Sequence, residues 1–267
     1  MPFFSIIIPT YNSARLVSNA IDSLLVQTFT DFEVLVIDGC STDNTVDVIL
    51  SFDDKRVQVF SEKDDGIYDA MNKGIRLAKG QWLYFLGSDD LVYDETVFSQ
   101  VHQCITTTNE SFYYGNAVIK GNASWAKDGD IYDGEFTNEK ILERNICHQS
   151  VFYKTSFIQL EIGDYNTKYK ICADWDFNLR CWAKTKCRYV NIIISKFSAG
   201  GKSTTENRDL EFEKDFVVNL LSTFKLNPFD PLLRHLRPRN RKEVARLQRQ
   251  KNLLLYYFNK VNYILNK

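Results

Sequence analysis

The sequence predicts an α/β protein built on a mostly parallel sheet with helices on both faces, and three observations predict it. Short apolar runs that end in polar residues recur through the first 110 positions, the pattern of strands buried on both faces. Between these runs apolar residues fall at helical spacing. The connections are short, and strand–helix–strand units joined this way are right-handed crossovers between parallel strands.

The elements follow in order. Residues 3–8 form a first strand, ended by Pro9, and Leu16, Ala20, Leu24 and Leu25 mark a helix reaching Gln27. Residues 32–37 form a second strand, with Glu33 at its start. Ser41, Thr42 and Asp43 then cap a helix that carries Val46, Val48, Ile49 and Leu50. A third strand at 57–60, a helix at 67–78 and a fourth strand at 82–86 complete this half. Beyond residue 110 the pattern changes. Strands are expected at 111–114, 117–119, 150–153 and 188–195, with a passage rich in Gly, Asp and Asn at 121–138 and a helix at 174–184. Gly200, Gly201, Lys202 and Ser203 read as a loop, and everything after Asn207 reads as helical. The chain thus divides into 1–110, 111–205 and a helical tail, 206–267.

A chain of 267 residues, 44% of them hydrophobic, is long enough for a substantial core. Five Pro and 12 Gly exclude a collagen-like or disordered polymer. The net charge of -1 conceals an asymmetry: from Leu232 onward there are ten Lys/Arg and one acid, Glu243, so a basic tail follows an acidic body. Such a tail calls for an anionic partner, a membrane surface or a nucleic acid. The six cysteines form no C-x-x-C pair, and residues 1–4 lack the basic start of a secretory leader, so reduced thiols in the cytoplasm are expected. No uninterrupted apolar run reaches the roughly 18 residues of a bilayer span.

In an open parallel sheet, ligands bind beyond the carboxyl ends of the strands. Here those ends carry Pro9-Thr10-Tyr11-Asn12, Asp38-Gly39, Glu62-Lys63-Asp64-Asp65 and Ser88-Asp89-Asp90. Any one of these sets reads as a turn or a helix cap; four at equivalent places point to a site. Adjacent carboxylates repel unless a cation lies between them, and Asp89-Asp90 would offer hard oxygens to Mg2+ or Mn2+. No G-x-G-x-x-G follows the first strand, which disfavours a Rossmann dinucleotide site, and no P-loop is present. What remains is an acid-rich, metal-assisted diphosphate site.

Together, Ile6-Ile7-Ile8-Pro9-Thr10-Tyr11-Asn12, Val36-Ile37-Asp38-Gly39 with Ser41-Thr42-Asp43, residues 65–74, Leu86-Gly87-Ser88-Asp89-Asp90, His148-Gln149 and Ala173-Asp174-Trp175-Asp176 resemble family 2 glycosyltransferases of the GT-A fold. The resemblance covers residues 3–205 and is similar in motif order to bacterial polysaccharide transferases. It implies that 1–110 bind the nucleotide sugar and 111–205 the acceptor. Pro9, Thr10 and Tyr11 would line the base pocket and Asp38 would hydrogen-bond the base. Asp65 and Gly66 would flank the nucleotide, Lys73 would reach phosphate, Ser88 and Asp89 would lie near the donor, and Asp90 would hold Mn2+ or Mg2+. Ser88 stands where many relatives carry Asp. Asp174 corresponds to the family's catalytic base, which takes the proton of an attacking acceptor hydroxyl; without the resemblance it reads as a helix cap. His148, Trp175 and Lys202 would lie on the acceptor or diphosphate side, each with a structural alternative: core histidine, core aromatic, surface loop.

In the tail, Val244, Leu247, Leu254, Leu255, Phe258, Val261, Ile264 and Leu265 approximate a helical stripe, with Arg241, Lys242, Arg246, Arg249 and Lys251 in its first half. This fits an interfacial helix on the inner membrane face. Packing of two copies into a homo-oligomer is the competing reading, and nothing else in the chain supports a nucleic-acid partner. The expected protein is an inverting glycosyltransferase of surface polysaccharide, O-antigen or lipopolysaccharide type. It would use a nucleoside-diphosphate sugar, UDP-sugars first, on a glycan or lipid-linked acceptor. A non-catalytic assembly protein and a sugar nucleotidyltransferase are the alternatives. The second would need a Gly-rich basic loop where Pro9-Thr10-Tyr11-Asn12 stands.

Overall fold

A computed structural model describes residues 1–200 and 208–265, with side chains as far as Leu254. The first half is β1 (Phe4–Thr10), α1 (Val17–Leu25), β2 (Phe32–Asp38), α2 (Thr45–Leu50), β3 (Val57–Ser61), α3 (Ile67–Leu77) and β4 (Trp82–Phe85). These four strands are parallel in the order β3-β2-β1-β4. The chain adds β2 and β3 on one side of β1 and then returns to place β4 on the other. The crevice beyond β1 and β4 is therefore the topological switch point, where such sheets bind ligands.

All seven residues of β1 and of β2 are buried, because both faces of the sheet are covered. Ile6, Ile8, Val34 and Val36 face α1, through Val17, Ala20, Ile21 and Leu24. Ile7, Leu35 and Ile37 face the opposite core, which includes Tyr68, Met71 and Ile75 of α3, the alternation that a strand imposes. α3 lies close on β1 at Gly74, where a Cβ would stand 2.4 Å from Ile7 Cγ2. Gly74→Ala is expected to destabilise the protein by about 1–3 kcal/mol through overpacking, seen as a lower denaturation midpoint with an unchanged slope.

The second half comprises β5 (Leu91–Val92), α4 (Val97–Thr107), β6 (Phe112–Lys120), β7 (Ile131–Tyr132), α5 (Asn138–Glu143), β8 (Val151–Lys154), α6 (Thr155–Phe157), α7 (Ala173–Trp182), β9 (Cys187–Ser198), α8 (Leu210–Thr223) and α9 (Pro238–Leu265). Strand β8 runs antiparallel between β4 and β6 and joins the halves into one sheet. Two strands were expected where β6 is continuous. The interruption is a register shift against the parallel strand β9 around Asn116, where Gly115 lets the Ile192 carbonyl approach a would-be Cβ to 2.5 Å. Helix α4 escaped the sequence reading although Val97, Phe98, Val101 and Ile105 are its buried face.

The C-terminal region is not one helix. Residues 224–237 interrupt it, with a short 3-10 turn over Pro231–His235 capped by Asp230. Phe212 and Phe216 of α8 pack on Trp175 of α7, so α8 shares the core of the acceptor half. The apolar stripe of α9 is split: Val244 is buried and Leu247 rests on the core, whereas Leu253 and Leu254 are exposed. Among the described residues, no helix is long and apolar enough to cross a membrane.

Candidate active site

The loops that meet at the switch point enclose a cavity of about 390 Å³. β1 contributes Pro9, Thr10, Tyr11 and Ser13; the turn after β4 contributes Gly87, Ser88, Asp89 and Asp90. Asp64, Gly66 and Tyr68 form a third wall, and Gln149, Lys170, Ile171, Phe197 and Ser198 a fourth. The residues read as a helix cap tie this rim together. Asn12 N–H donates to Ser41 Oγ at 2.8 Å, Thr42 N–H to Asn12 Oδ1 at 2.8 Å, and Ser13 N–H to Thr45 Oγ1 at 2.8 Å. The loops after β1 and β2 are thereby cross-linked.

Several residues singled out from sequence stand elsewhere. Asp38 is fully buried and is not part of the cavity wall; its carboxylate accepts from the Ser41 N–H at 3.0 Å, the Ser41 hydroxyl and the Ser61 hydroxyl at 2.6 Å. It is a strut between the ends of β2 and β3. Asp65 is exposed and is not among the lining residues; its neighbour Asp64 lines the cavity instead, accepting from Gly66 N–H at 2.9 Å. Asp64 lies against Gly39, where a Cβ would meet its Oδ2 at 2.6 Å. Gly66 opens α3 at φ 119°, a conformation that favours glycine. Lys73 is held by Glu62 at 2.9 Å and by the Lys63 carbonyl at 2.6 Å, outside the cavity. The cation among the described lining residues is Lys170, which no motif marked.

Asp89 and Asp90 share the turn at Gly87. A Cβ there would lie 2.5 Å from Asp90 Oδ2 and 2.9 Å from Asp89 Oδ1, so a side chain would displace both carboxylates. Asp90 is 1% exposed. It accepts from Gln149 Nε2–H at 2.8 Å and from Ser198 N–H at 2.7 Å. Burial first, and then the charge of Asp89, push its carboxyl up to about 7. Each Asp90 oxygen keeps lone-pair capacity beyond its one donor, and two carboxylates beside a shared glycine fit a hard divalent cation. Among the described residues no group of three or more His, Cys, Asp or Glu could hold a metal. A cation here would therefore take its remaining ligands from substrate and water, as Mg2+ commonly does.

A second cavity of about 320 Å³ adjoins the first; Ile67, Tyr68, Gln149, Ile171 and Phe197 line both. Asp174 lies on its wall in the first turn of α7, where the helix dipole favours a negative charge. Its Oδ1 accepts from Trp175 N–H at 2.8 Å. The Tyr68 hydroxyl, with a single proton, stands 2.5 Å from the Ile171 carbonyl and 3.2 Å from that same Oδ1. Oδ2 accepts from Asn145 Nδ2–H at 2.9 Å. Asn145 is oriented in turn: Tyr153 O–H donates to Asn178 Oδ1 at 2.7 Å, and Asn178 Nδ2–H donates to Asn145 Oδ1 at 2.8 Å. Burial pushes the Asp174 carboxyl up to about 6 against these stabilising donors. A carboxylate so poised is ionised at neutral pH and basic enough to accept a proton.

The remaining acceptor-side residues are less free. His148 is buried, bonds through Nε2 to the Tyr165 hydroxyl at 2.7 Å and is pushed down to about 3 by burial. It is a neutral core histidine whose edge reaches the cavity, not a cation for phosphate. Trp175 spends its N–H on the Ile141 carbonyl at 2.8 Å and its ring on Phe212 and Phe216. Trp125 is 49% exposed at the rim, beside Tyr132 and Phe197. Burial pushes the Cys147 and Cys172 thiols up to about 12, so neither is a nucleophile. Lys202 lies outside the described residues.

A parallel α/β half with an acidic switch-point cavity, joined to a mixed half that presents a carboxylate to an adjoining cavity, has the layout of a GT-A glycosyltransferase. Solved structures agree on the fold. S. aureus TarS 1-349 in complex with UDP-GlcNAc superposes with a TM-score of 0.69 at 20% identity, over 82% of this chain and 66% of that one. Mannosyltransferase PcManGT from Pyrobaculum calidifontis, in complex with GDP-Man and Mn2+, gives 0.61 at 15% identity, over 88% and 68%. The chain spans about two thirds of the length of such TarS structures. The family model for glycosyl transferase family 2 matches residues 5–159. A "PGL/p-HBAD biosynthesis glycosyltransferase" of Mycobacterium bovis is 38% identical over 221 residues, 80% of this chain and 83% of that protein. Chondroitin synthase of Pasteurella multocida is 29% identical over 250 residues, 87% of this chain but 25% of that protein. The chain belongs to glycosyltransferase family 2 and is a transferase.

Proposed function

We propose that the protein is an inverting, metal-assisted glycosyltransferase. On this reading it transfers a sugar from a nucleoside-diphosphate donor, a UDP-sugar in the first instance, to a hydroxyl of a glycan or lipid-linked acceptor in surface-polysaccharide or glycolipid synthesis. The observation that carries the reading is the pair of adjoining cavities, one acidic at the switch point and one holding the Asp174 carboxylate. Donors bound by TarS and the mannosyltransferase support the donor class, and the named mycobacterial and Pasteurella relatives support the biosynthetic class.

Residues 1–110 bind the donor on this reading, with Pro9, Thr10 and Tyr11 around the base. Asp64 and Gly66 stand at the nucleotide's flank, and Lys170 takes the cationic role by the diphosphate. A Mn2+ or Mg2+ ion held by Asp89 and Asp90 would supply charge neutralisation for the departing diphosphate. The acceptor enters the second cavity, with Trp125 offering a ring face to a sugar. Asp174 Oδ2 or Oδ1 takes the hydroxyl proton as the acceptor oxygen attacks the anomeric carbon. The nucleoside diphosphate leaves from the opposite face, which inverts the centre. The basic helix α9 brings this acceptor side to the inner membrane face.

The test is nucleoside-diphosphate release across UDP-, GDP- and dTDP-sugars with Mn2+, Mg2+ or EDTA and a membrane extract as acceptor. Release from one donor that needs both metal and acceptor is the expected result. Nucleotide binding without turnover under every condition overturns the reading in favour of a non-catalytic assembly protein.

A further inference from the structure

Away from both cavities a cleft of about 500 Å³ opens between the end of α5 and the start of α9, walled by Arg144, Arg234, His235, Arg237 and Arg241. Glu143 is the one acid among its lining residues. Three of the arginines are anchored, Arg234 through its Nε–H to the Pro231 carbonyl at 3.0 Å. Arg144 pairs with Asp133 at 2.8 Å. Arg237 donates Nε–H to the Glu143 carbonyl at 2.9 Å and lies over the Trp175 ring at 5.4 Å. Arg234 and Arg241 are exposed. Pro238, the first residue of α9, is also in the wall, so the helix terminus adds partial positive charge there. Arg144 already has a carboxylate, but Arg234, Arg237 and Arg241 line the same concave wall, and guanidinium forks match phosphate oxygens.

We infer that this cleft is a phosphate-binding site that takes the headgroup of an anionic membrane lipid. Membrane lipid is favoured over free phosphate by what adjoins the cleft. Helix α9 runs on from it with Lys242, Arg249 and Lys251 exposed. Its outward apolar residues Leu253 (56% exposed) and Leu254 (71%) are in the same helix, and Phe229 (49%) precedes the 3-10 turn. Charge at headgroup level with apolar side chains beside it is the arrangement of an interfacial helix. The cleft also touches the acceptor side. Arg144 adjoins Asn145, which donates to Asp174, and Arg237 rests on Trp175. A headgroup held there sets the Asp174 cavity at the membrane face, where a lipid-linked acceptor arrives. The inference deepens the membrane reading of α9 and rests on it.

The experiment is co-sedimentation of the full chain with vesicles of phosphatidylcholine alone or with 30% phosphatidylglycerol, without sugar nucleotide. Binding to the anionic vesicles alone is expected. The double variant Arg234→Ala/Arg241→Ala is expected to lower the partition coefficient by roughly a hundredfold or more, because it removes the headgroup's guanidinium ligands as well as surface charge. Arg249→Ala/Lys251→Ala, which removes equal charge outside the cleft, should cost roughly tenfold, the share of surface charge alone. Arg234→Lys/Arg241→Lys should recover part of the binding, and unchanged melting excludes misfolding. Equal losses from the two alanine pairs, or none from the first, overturn the cleft and leave the membrane reading standing. Displacement by low-millimolar inorganic phosphate overturns the lipid assignment in favour of a soluble anion. Wild-type protein that ignores both vesicles overturns the membrane reading itself.

Discussion

Asp174→Asn lowers kcat by about 10²–10⁴-fold, the contribution of a positioned general base, while nucleotide binding stays within a few-fold of wild type. The variant keeps the shape of the side chain and removes only its capacity to take a proton. Its stability changes little, because two effects oppose each other. In the wild type the folded-state carboxyl is raised from 3.8 to about 6. The folded protein therefore holds this proton more tightly than the unfolded chain, and stability falls as pH rises from about 4 to 6. The loss reaches about 3 kcal/mol at neutral pH, and the amide removes it. Against that, the amide nitrogen meets Asn145 Nδ2. Asn145 does not turn over cheaply, since its Oδ1 is taken by Asn178, which is itself fixed by Tyr153. Leaving those donors opposed costs about 1–3 kcal/mol. At saturating Mn2+, which would hold the Asp90 carboxylate ionised, the wild-type kcat profile should rise tenfold per pH unit up to about 6 and then level, and this limb should vanish from the residual activity of Asp174→Asn. A variant as active as wild type, or one that keeps the acid limb, overturns the assignment of the base. Tyr68, Tyr132, Cys147, Cys172 and His148 are the titratable groups lining the cavity with Asp174, and burial raises Tyr132 as it does Tyr68. The hydroxyls and thiols are raised and the imidazole is depressed well away from 6, so none of them supplies that limb.

The parallel half was legible in the sequence because it is buried on both faces and joined by short crossovers. The apolar runs of β1 and β2 then leave little choice of element. Its rim was legible too: Pro9, Thr10, Tyr11, Gly66, Ser88, Asp89 and Asp90 all reach one cavity. What the sequence hid is set by direction rather than by residue type. Whether Asp64 or Asp65 turns inward depends on how the chain enters α3, and the close fit of Asp64 against Gly39 is a contact between β2 and β3 ends that no local pattern encodes. Lys73 carries the charge that phosphate needs, but Asp69 one helical turn away and Glu62 just beyond β3 flank it, so its charge is used locally. Asn145, Tyr153 and the α7 pair Asp174 and Asn178 come together from three separate segments, and the residue types alone give no signal of that. The tail misled for a related reason. A helical period says that a face is apolar without saying what covers it, and here Val244 and Leu247 face the core while Leu254 faces outward.

Asp90→Asn is expected to separate metal binding from structural support. Two carboxylates meet at Gly87, and Asp90 is buried beside the charge of Asp89, an arrangement that destabilises the metal-free protein. Replacing Asp90 by a neutral amide of the same shape removes that repulsion. The amide oxygen still accepts from Ser198 N–H. Its nitrogen would face Gln149 Nε2, but Gln149 can turn its amide over, because among the described residues its Oε1 has as partner just the weak Cys147 thiol donor at 3.4 Å. The metal-free variant should therefore melt about 2–6 °C above wild type. Asp90→Ala should melt below wild type, since it strands the Gln149 and Ser198 donors at about 1–3 kcal/mol each. Added Mn2+ should then raise the melting temperature of wild type in proportion to the logarithm of its concentration and leave Asp90→Asn unmoved. Activity at fixed Mn2+ should fall by about 10²-fold or more when the leaving group loses its counter-charge, on the scale of removing one preorganised stabilising group. If Mn2+ raises the melting temperature of Asp90→Asn as much as that of wild type, Asp90 is not a ligand, and the carboxylate serves only to hold Gln149 and the end of β9 across the mouth of the cavity.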